Sequence, residues 1–123
     1  MSPIEVMNKM ATAFNNKDVD AMMDLITDNC IMQKDRGEVM LAGKPSFREF
    51  YSSGMKQHPN MMLELRENFS VGSVLFVHEI NLGYVVDGKE TTLDTTWVYQ
   101  VVNGKIALMH YFSIDYKNVG DVF

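Results

Sequence analysis

The run VLFVHEINLGY, residues 74–84, sets a histidine in the middle of an apolar row. Read as a strand, its period of two puts Phe76, His78, Ile80, Leu82 and Tyr84 on one face and turns Val77, Glu79 and Asn81 to the other. An imidazole among apolar side chains is desolvated, which favours its neutral form and leaves it a competent base near neutral pH. The same pattern fits a core histidine satisfied by a neighbouring Tyr, so His78 carries two readings. A second group, Trp97, Tyr99, Tyr111 and Tyr84, supplies wide rings with polar tips, the lining expected of a site for a small apolar or aromatic molecule. The alternative is that these rings simply fill a core.

Other chemistries find no footing. His58, His78 and His110 show no ligand spacing, and His78-Glu79 lacks the second His of a helical zinc motif, so no metal is expected. There is no Gly-rich phosphate loop after a strand and no nucleophile elbow, and no cofactor is expected. The single cysteine, Cys30, excludes an internal disulfide and reads as a small apolar residue at the start of a strand. A net charge of −5, with eleven basic residues scattered along the chain, argues against nucleic acid. No window approaches the roughly 18 apolar residues of a membrane span, and the start MSPIEVMNKM has no basic segment followed by an apolar one. A cytoplasmic protein without a leader or membrane contact is the expectation. Eleven methionines are the compositional oddity; flexible and polarizable, they fill irregular spaces, including those around a ligand.

The elements that must position these residues fit one domain spanning residues 1–123. Ser2-Pro3-Ile4-Glu5 carries a helix-start signature, and Ile4, Met7, Ala11 and Phe14 then share one face of a helix reaching Asn15. Asp18 can cap a second helix through Ile26, and Cys30 to Lys34 reads as a short strand followed by the loop DRGEVMLAG. Pro45 starts a third helix with the stripe Phe47, Phe50, Tyr51 and Met55, ended by His58-Pro59. Four extended segments follow, Met62 to Phe69, Val74 to Val86, Thr91 to Val102 and Lys105 to Tyr116. Asp87-Gly88 and Asn103-Gly104 are strong hairpin signals and make the last three an antiparallel meander.

In the third of these strands Leu93, Thr95, Trp97, Tyr99 and Val101 share a face. The last is apolar on both sides, with Ala107, Met109 and Tyr111 on one and Ile106, Leu108, Phe112 and Ile114, together with His110, on the other. Helices can cover only one face, so the other is expected to meet a second subunit, giving a homodimer through the sheet.

The segments AFNNKDVDAMMDLITDN, GKPSFREFYSSGM and TTWVYQVVNGKIALMHYFS, in this order, resemble the nuclear transport factor 2-like superfamily, and within it the SnoaL-like and ketosteroid isomerase-like branch. The resemblance implies an α+β fold, a cone-shaped, strongly curved mixed or antiparallel sheet wrapped around N-terminal helices, with a cavity open at one end. It implies a cavity lining of Trp97, Tyr99, Tyr111 and Tyr84, joined by Tyr51 and Met10 from the helices and Met109 from the last strand. It turns the row of His78 toward that cavity and puts Asp35 at its mouth. Ketosteroid isomerases work with a carboxylate base and two oxyanion donors, a Tyr and a protonated acid. The matching positions here are Lys34, beside Asp35, then Met10 and Trp97, so all three groups are replaced.

Two functions follow as expectations. One is a cofactor-independent isomerase, cyclase or dehydratase acting on a small hydrophobic carbonyl compound, with His78 or Asp35 shifting the proton. The other is a non-catalytic ligand-binding or dimerisation module.

Overall fold

Ser2 caps the first helix by accepting from the Glu5 N–H at 3.4 Å, and Pro3 occupies the first turn, where its missing N–H costs nothing. This helix, α1 (Pro3–Asn15), buries Val6, Met7, Met10, Ala13 and Phe14, while Ile4 and Ala11 are only partly covered. Its end is tied down by Asn15, whose amide donates to the Leu63 carbonyl at 2.9 Å and accepts from the Leu63 N–H at 2.7 Å. Asp18 caps α2 (Val19–Met23) by accepting from the Ala21 N–H at 3.1 Å. The third helix, α3 (Lys44–Gln57), buries Phe47 completely and leaves Phe50 exposed.

The computed structural model describes residues 1–112. Six strands form one sheet: β1 (Ile26–Lys34), β2 (Glu38–Ala42), β3 (Met62–Val71), β4 (Val74–Val86), β5 (Lys89–Val102) and β6 (Lys105–Phe112). Their order is β2-β1-β6-β5-β4-β3, with β1 parallel to β6 and every other pair antiparallel, so the architecture is the expected α+β one with a mixed, curved sheet. The sheet stays open, with β2 and β3 as its edges. Asp87-Gly88 and Asn103-Gly104 all have positive φ, the backbone that two-residue hairpin turns demand. The expected last-strand residues beyond Phe112, including Ile114, lie outside the described residues.

Several element boundaries depart from expectation: β1 begins at Ile26 rather than Cys30, β3 runs on to Val71 and β5 begins at Lys89. The second helix stops at Met23 rather than Ile26, because Ile26 already pairs with Ile106 and the Ile106 N–H reaches the Leu25 carbonyl at 2.8 Å. The segment expected as a loop contains β2, a short edge strand whose residues are largely exposed and therefore carry no burial periodicity. Among the described residues no helix is long and apolar enough to cross a membrane.

Register irregularities fall between Leu65 and Asn68, between Asn81 and Tyr84, and between Gln100 and Val101. Each inserts a residue on one strand, bends the sheet, and reverses the in-out phase beyond it. In β4 the extra residue lies at Gly83, with φ +71°, and at this point a Cβ would stand 2.2 Å from the Asn60 carbonyl oxygen. The backbone of Asn60 thus approaches β4 at a position only glycine can fill.

That bulge corrects the face assignment of β4. Leu75, Val77 and Glu79 point inward and are buried, whereas Phe76, His78 and Ile80 lie on the outer face. Tyr84 does turn inward, but it stands beyond the bulge and in the opposite phase from His78. In β6 the same effect brings Ile106 into the core beside Val101, leaving Leu108, His110 and Phe112 outside.

Candidate functional site

Between α1, α3 and the inner face of the sheet lies a cavity of about 450 Å³. Six methionines line it, Met7, Met10 and Met22 from the helices and Met32, Met40 and Met109 from the strands. Against them stand the rings of Trp97, Tyr99, Tyr111, Tyr84 and Tyr51. Trp97 lies parallel to Tyr99, centroids 5.6 Å apart at 2°, and tilts over Tyr111 at 4.8 Å. This makes a flat aromatic wall on β5 and β6 facing deformable thioethers, a lining that suits a planar apolar molecule.

An acidic group interrupts the largely apolar lining. Glu79 is 2% exposed, the one buried charged or polar residue among the described residues. The hydroxyl of Tyr99 donates to its carboxyl. Burial pushes the Glu79 pKa from its ordinary 4.5 up to about 8, the desolvation penalty outweighing the Tyr99 hydrogen bond that favours the ionised form. The Tyr99 hydroxyl is itself held well above its usual range, first by burial and then by the neighbouring Glu79 charge. Tyr51 is raised for the same two reasons, and its hydroxyl donates to the Met109 sulfur at 3.7 Å.

A second polar point lies beside it. The Trp97 indole N–H donates to Thr95 Oγ1 at 3.0 Å and the Asn81 amide donates to the same oxygen at 3.2 Å. All three residues line the cavity with Glu79. The chamber thus sets a carboxyl that can take up or release a proton near neutral pH close to an amide with one N–H to spare.

The cavity brings together every aromatic and methionine side chain expected from the sequence: Trp97, Tyr99, Tyr111, Tyr84, Tyr51, Met10 and Met109. The two expected proton carriers stand elsewhere. His78 lies on the outer face, clamped between carboxylates of neighbouring strands, Nδ1 at 2.9 Å from Glu67 and Nε2 at 2.5 Å from Asp94. These two bonds raise its pKa from 6.5. Since the raised value belongs to the folded state, the stability they contribute is complete below the ordinary value and is lost as pH rises through the folded one. Asp35 sits in the β1–β2 turn with φ +50°; its N–H reaches the Tyr111 carbonyl at 3.0 Å, and its own carbonyl oxygen lies 2.9 Å from His110 Nε2. It does not line the cavity.

Glu79 is what sequence reasoning assigned to the wrong face. A signal was available: a glycine inside a strand pattern marks a bulge, and counting back from Tyr84 through Gly83 with one extra residue turns Glu79 inward.

The model of the SnoaL-like domain matches residues 7–109 of this chain. A search of curated proteins found no match. Among solved structures, an uncharacterized cystatin-fold protein from Novosphingobium aromaticivorans is 25% identical, with a TM-score of 0.81 over 92% of this chain and 99% of that one. TerC, crystallised with polyporic acid, is 18% identical, with a TM-score of 0.76 over 97% and 95%. A proposed SnoaL-like polyketide cyclase from Jannaschia is 12% identical, with a TM-score of 0.75 over 89% and 83%. At such identities the last two are likenesses of fold alone.

Proposed function

The chain belongs to the SnoaL-like domain family, and from that premise we propose that it binds a small hydrophobic carbonyl compound in the cavity and that Glu79 moves a proton on it. The observation that carries this reading is the burial of Glu79, with Tyr99 as its hydrogen-bond partner, in a chamber lined mostly by methionines, leucines and aromatic rings. Two relatives of the same fold point the same way, one crystallised with polyporic acid and one proposed as a polyketide cyclase.

The chemistry follows from the pKa. With a value of about 8, roughly a tenth of the Glu79 carboxyls are ionised at pH 7, and a carboxylate of that basicity removes a carbon-bound proton far better than an exposed one. The C–H bond next to the ligand carbonyl breaks, its proton passes to Glu79, and the electron pair moves onto the carbonyl oxygen. The Asn81 amide, one of whose two N–H groups is given to Thr95, has a second to offer that oxygen, and the single Trp97 N–H joins it only by leaving Thr95. Return of the proton to the same carbon regenerates the ligand and is seen only as hydrogen exchange, whereas its delivery to a conjugated carbon is a net isomerisation; neither needs a co-reactant.

The test uses 2-acetylnaphthalene in D₂O, followed by proton NMR. The protein is expected to accelerate loss of the acetyl proton signal, with a rate that climbs with pH and levels off above about 8. Glu79→Gln should abolish the acceleration, and His78→Ala should keep it. Equal exchange in the Gln variant would eliminate Glu79 as the base. Binding without exchange in the wild-type protein would leave a non-catalytic carrier of the same ligand.

The outer face supports the second half of the expected function, association of two copies. Phe76, Ile80, Val98 and Leu108 stand half-buried there beside the more exposed Phe112, apolar side chains interleaved with the His78 ion-pair cluster and His110 on the side away from the helices. Light scattering at micromolar concentration is expected to give twice the 14.0 kDa chain mass. Val98→Lys, in the middle of that face, should return the mass to that of one chain; a monomeric wild-type protein would remove the proposal.

A further inference from the structure

A second hollow, of about 520 Å³, runs along α3 beside the cavity. The two share Phe14, Leu41, Phe50, Tyr51 and Tyr84 as common walls. Its own lining differs in kind: Ser46, Glu49, Ser53 and Gln57 from α3, with His58 after the helix. Glu49, Ser53 and Gln57 follow at i, i+4 and i+8, a polar stripe along one helix face.

Two features shape this hollow. Gly54 stands inside the last turns of α3 with ordinary helical φ, where glycine is the poorest helix former but proline, and a Cβ there would meet nothing within 4 Å. No packing contact demands the missing side chain; what its absence preserves is the open floor of the hollow, which Gly54 lines. The second feature is His58. Its Nδ1 accepts the Val85 N–H at 2.9 Å, which leaves the ring proton on Nε2, and its ring lies against Tyr84 with centroids 4.5 Å apart. The groove therefore holds a donor of fixed tautomer next to the tyrosine that divides the two spaces.

We propose that this groove is a subsite for an uncharged, hydroxyl- or ether-bearing tail of the ligand whose apolar carbonyl end occupies the cavity. The lining offers hydrogen-bond donors and acceptors, and its one charged residue is Glu49, so an anionic tail meets repulsion with no cation to offset it. This extends the reading of the cavity given above and rests on it. Phe50, on the wall common to both spaces, is exposed, so the boundary between them is not sealed by close packing at that side chain.

Three probes decide it: 2-acetylnaphthalene, its 6-triethylene glycol ether, and a 6-linked chain of the same length ending in a carboxylate. The neutral tail is expected to tighten binding about tenfold over the tail-less probe, and the carboxylate tail to give no such gain. Gly54→Leu, which favours the helix and fills the groove, should erase the gain while leaving affinity and exchange of the tail-less probe unchanged. Glu49→Gln should let the carboxylate tail show part of the gain that the neutral tail gives. A gain that persists in Gly54→Leu, or no gain in the wild-type protein, overturns the subsite and leaves the cavity reading intact. If the tail-less probe itself fails to bind, both fall together.

Discussion

Glu79→Gln is expected to change how stability depends on pH more than any other single substitution in the cavity. Below about 4.5, the ordinary value, the carboxyl is protonated in both the folded and the unfolded chain and contributes no slope. Between 4.5 and about 8 the unfolded chain releases its proton while the folded chain retains it, so the folded state binds more protons and stability falls as pH rises. The slope approaches about 1.4 kcal/mol per pH unit at most, and over the whole interval the loss is on the order of 5 kcal/mol. Above about 8 both states are ionised and the penalty is complete.

Gln keeps the shape and an oxygen for the Tyr99 hydroxyl but cannot ionise. Urea unfolding from pH 4 to 9 should therefore give curves for the two proteins that converge at the acid end and separate toward the alkaline end, with the Gln variant the more stable. Taking the difference between the proteins removes the contributions of other groups, including the His78 clamp, which weakens in the same direction. Parallel curves would mean that Glu79 is not desolvated in solution, and the catalytic reading would go with it.

Gly83→Ala should be the most damaging change outside the cavity. Two costs combine. A residue with a Cβ at φ +71° sits in a left-handed region that costs about 1–2 kcal/mol, and that Cβ would lie 2.2 Å from the Asn60 oxygen and 2.6 Å from its carbonyl carbon. Backbone on both sides leaves no flexible side chain to yield, so the Asn60 segment must move, and the neighbouring Met61 is buried. A total of about 3 kcal/mol or more is expected, a fall in Tm of about 10 °C or more for a chain of this size. Gly88→Ala supplies the control: φ is +77° but nothing lies within 4 Å, so only the conformational cost remains, about 1–2 kcal/mol. Similar losses for the two variants would show that the Asn60 approach is not what holds the bulge.

The local chemistry of the sequence carried most of the architecture. Ser2 and Asp18 cap helices because a side-chain oxygen beside a free N–H is a short-range arrangement, and Asp87-Gly88 and Asn103-Gly104 turn because their own φ values permit it. The aromatic and methionine lining was legible for the same reason within β5, where Leu93, Thr95, Trp97 and Tyr99 keep an unbroken alternation across the cavity.

What the sequence alone could not decide was which residues of β4 face that lining. Alternation is counted from one residue to the next, and a single inserted residue reverses it for all that lie beyond. The insertion at Gly83 is held by the backbone of Asn60, which belongs to the segment before β3, and β1 finds its parallel partner β6 about 80 residues further along the chain. These are long-range contacts, absent from any local window. They put His78 outside between two carboxylates and turned its neighbour Glu79 into the cavity, so the aromatic and methionine lining was readable from the chain, but that a buried acid stands in it, and which one, was decided only by tertiary packing.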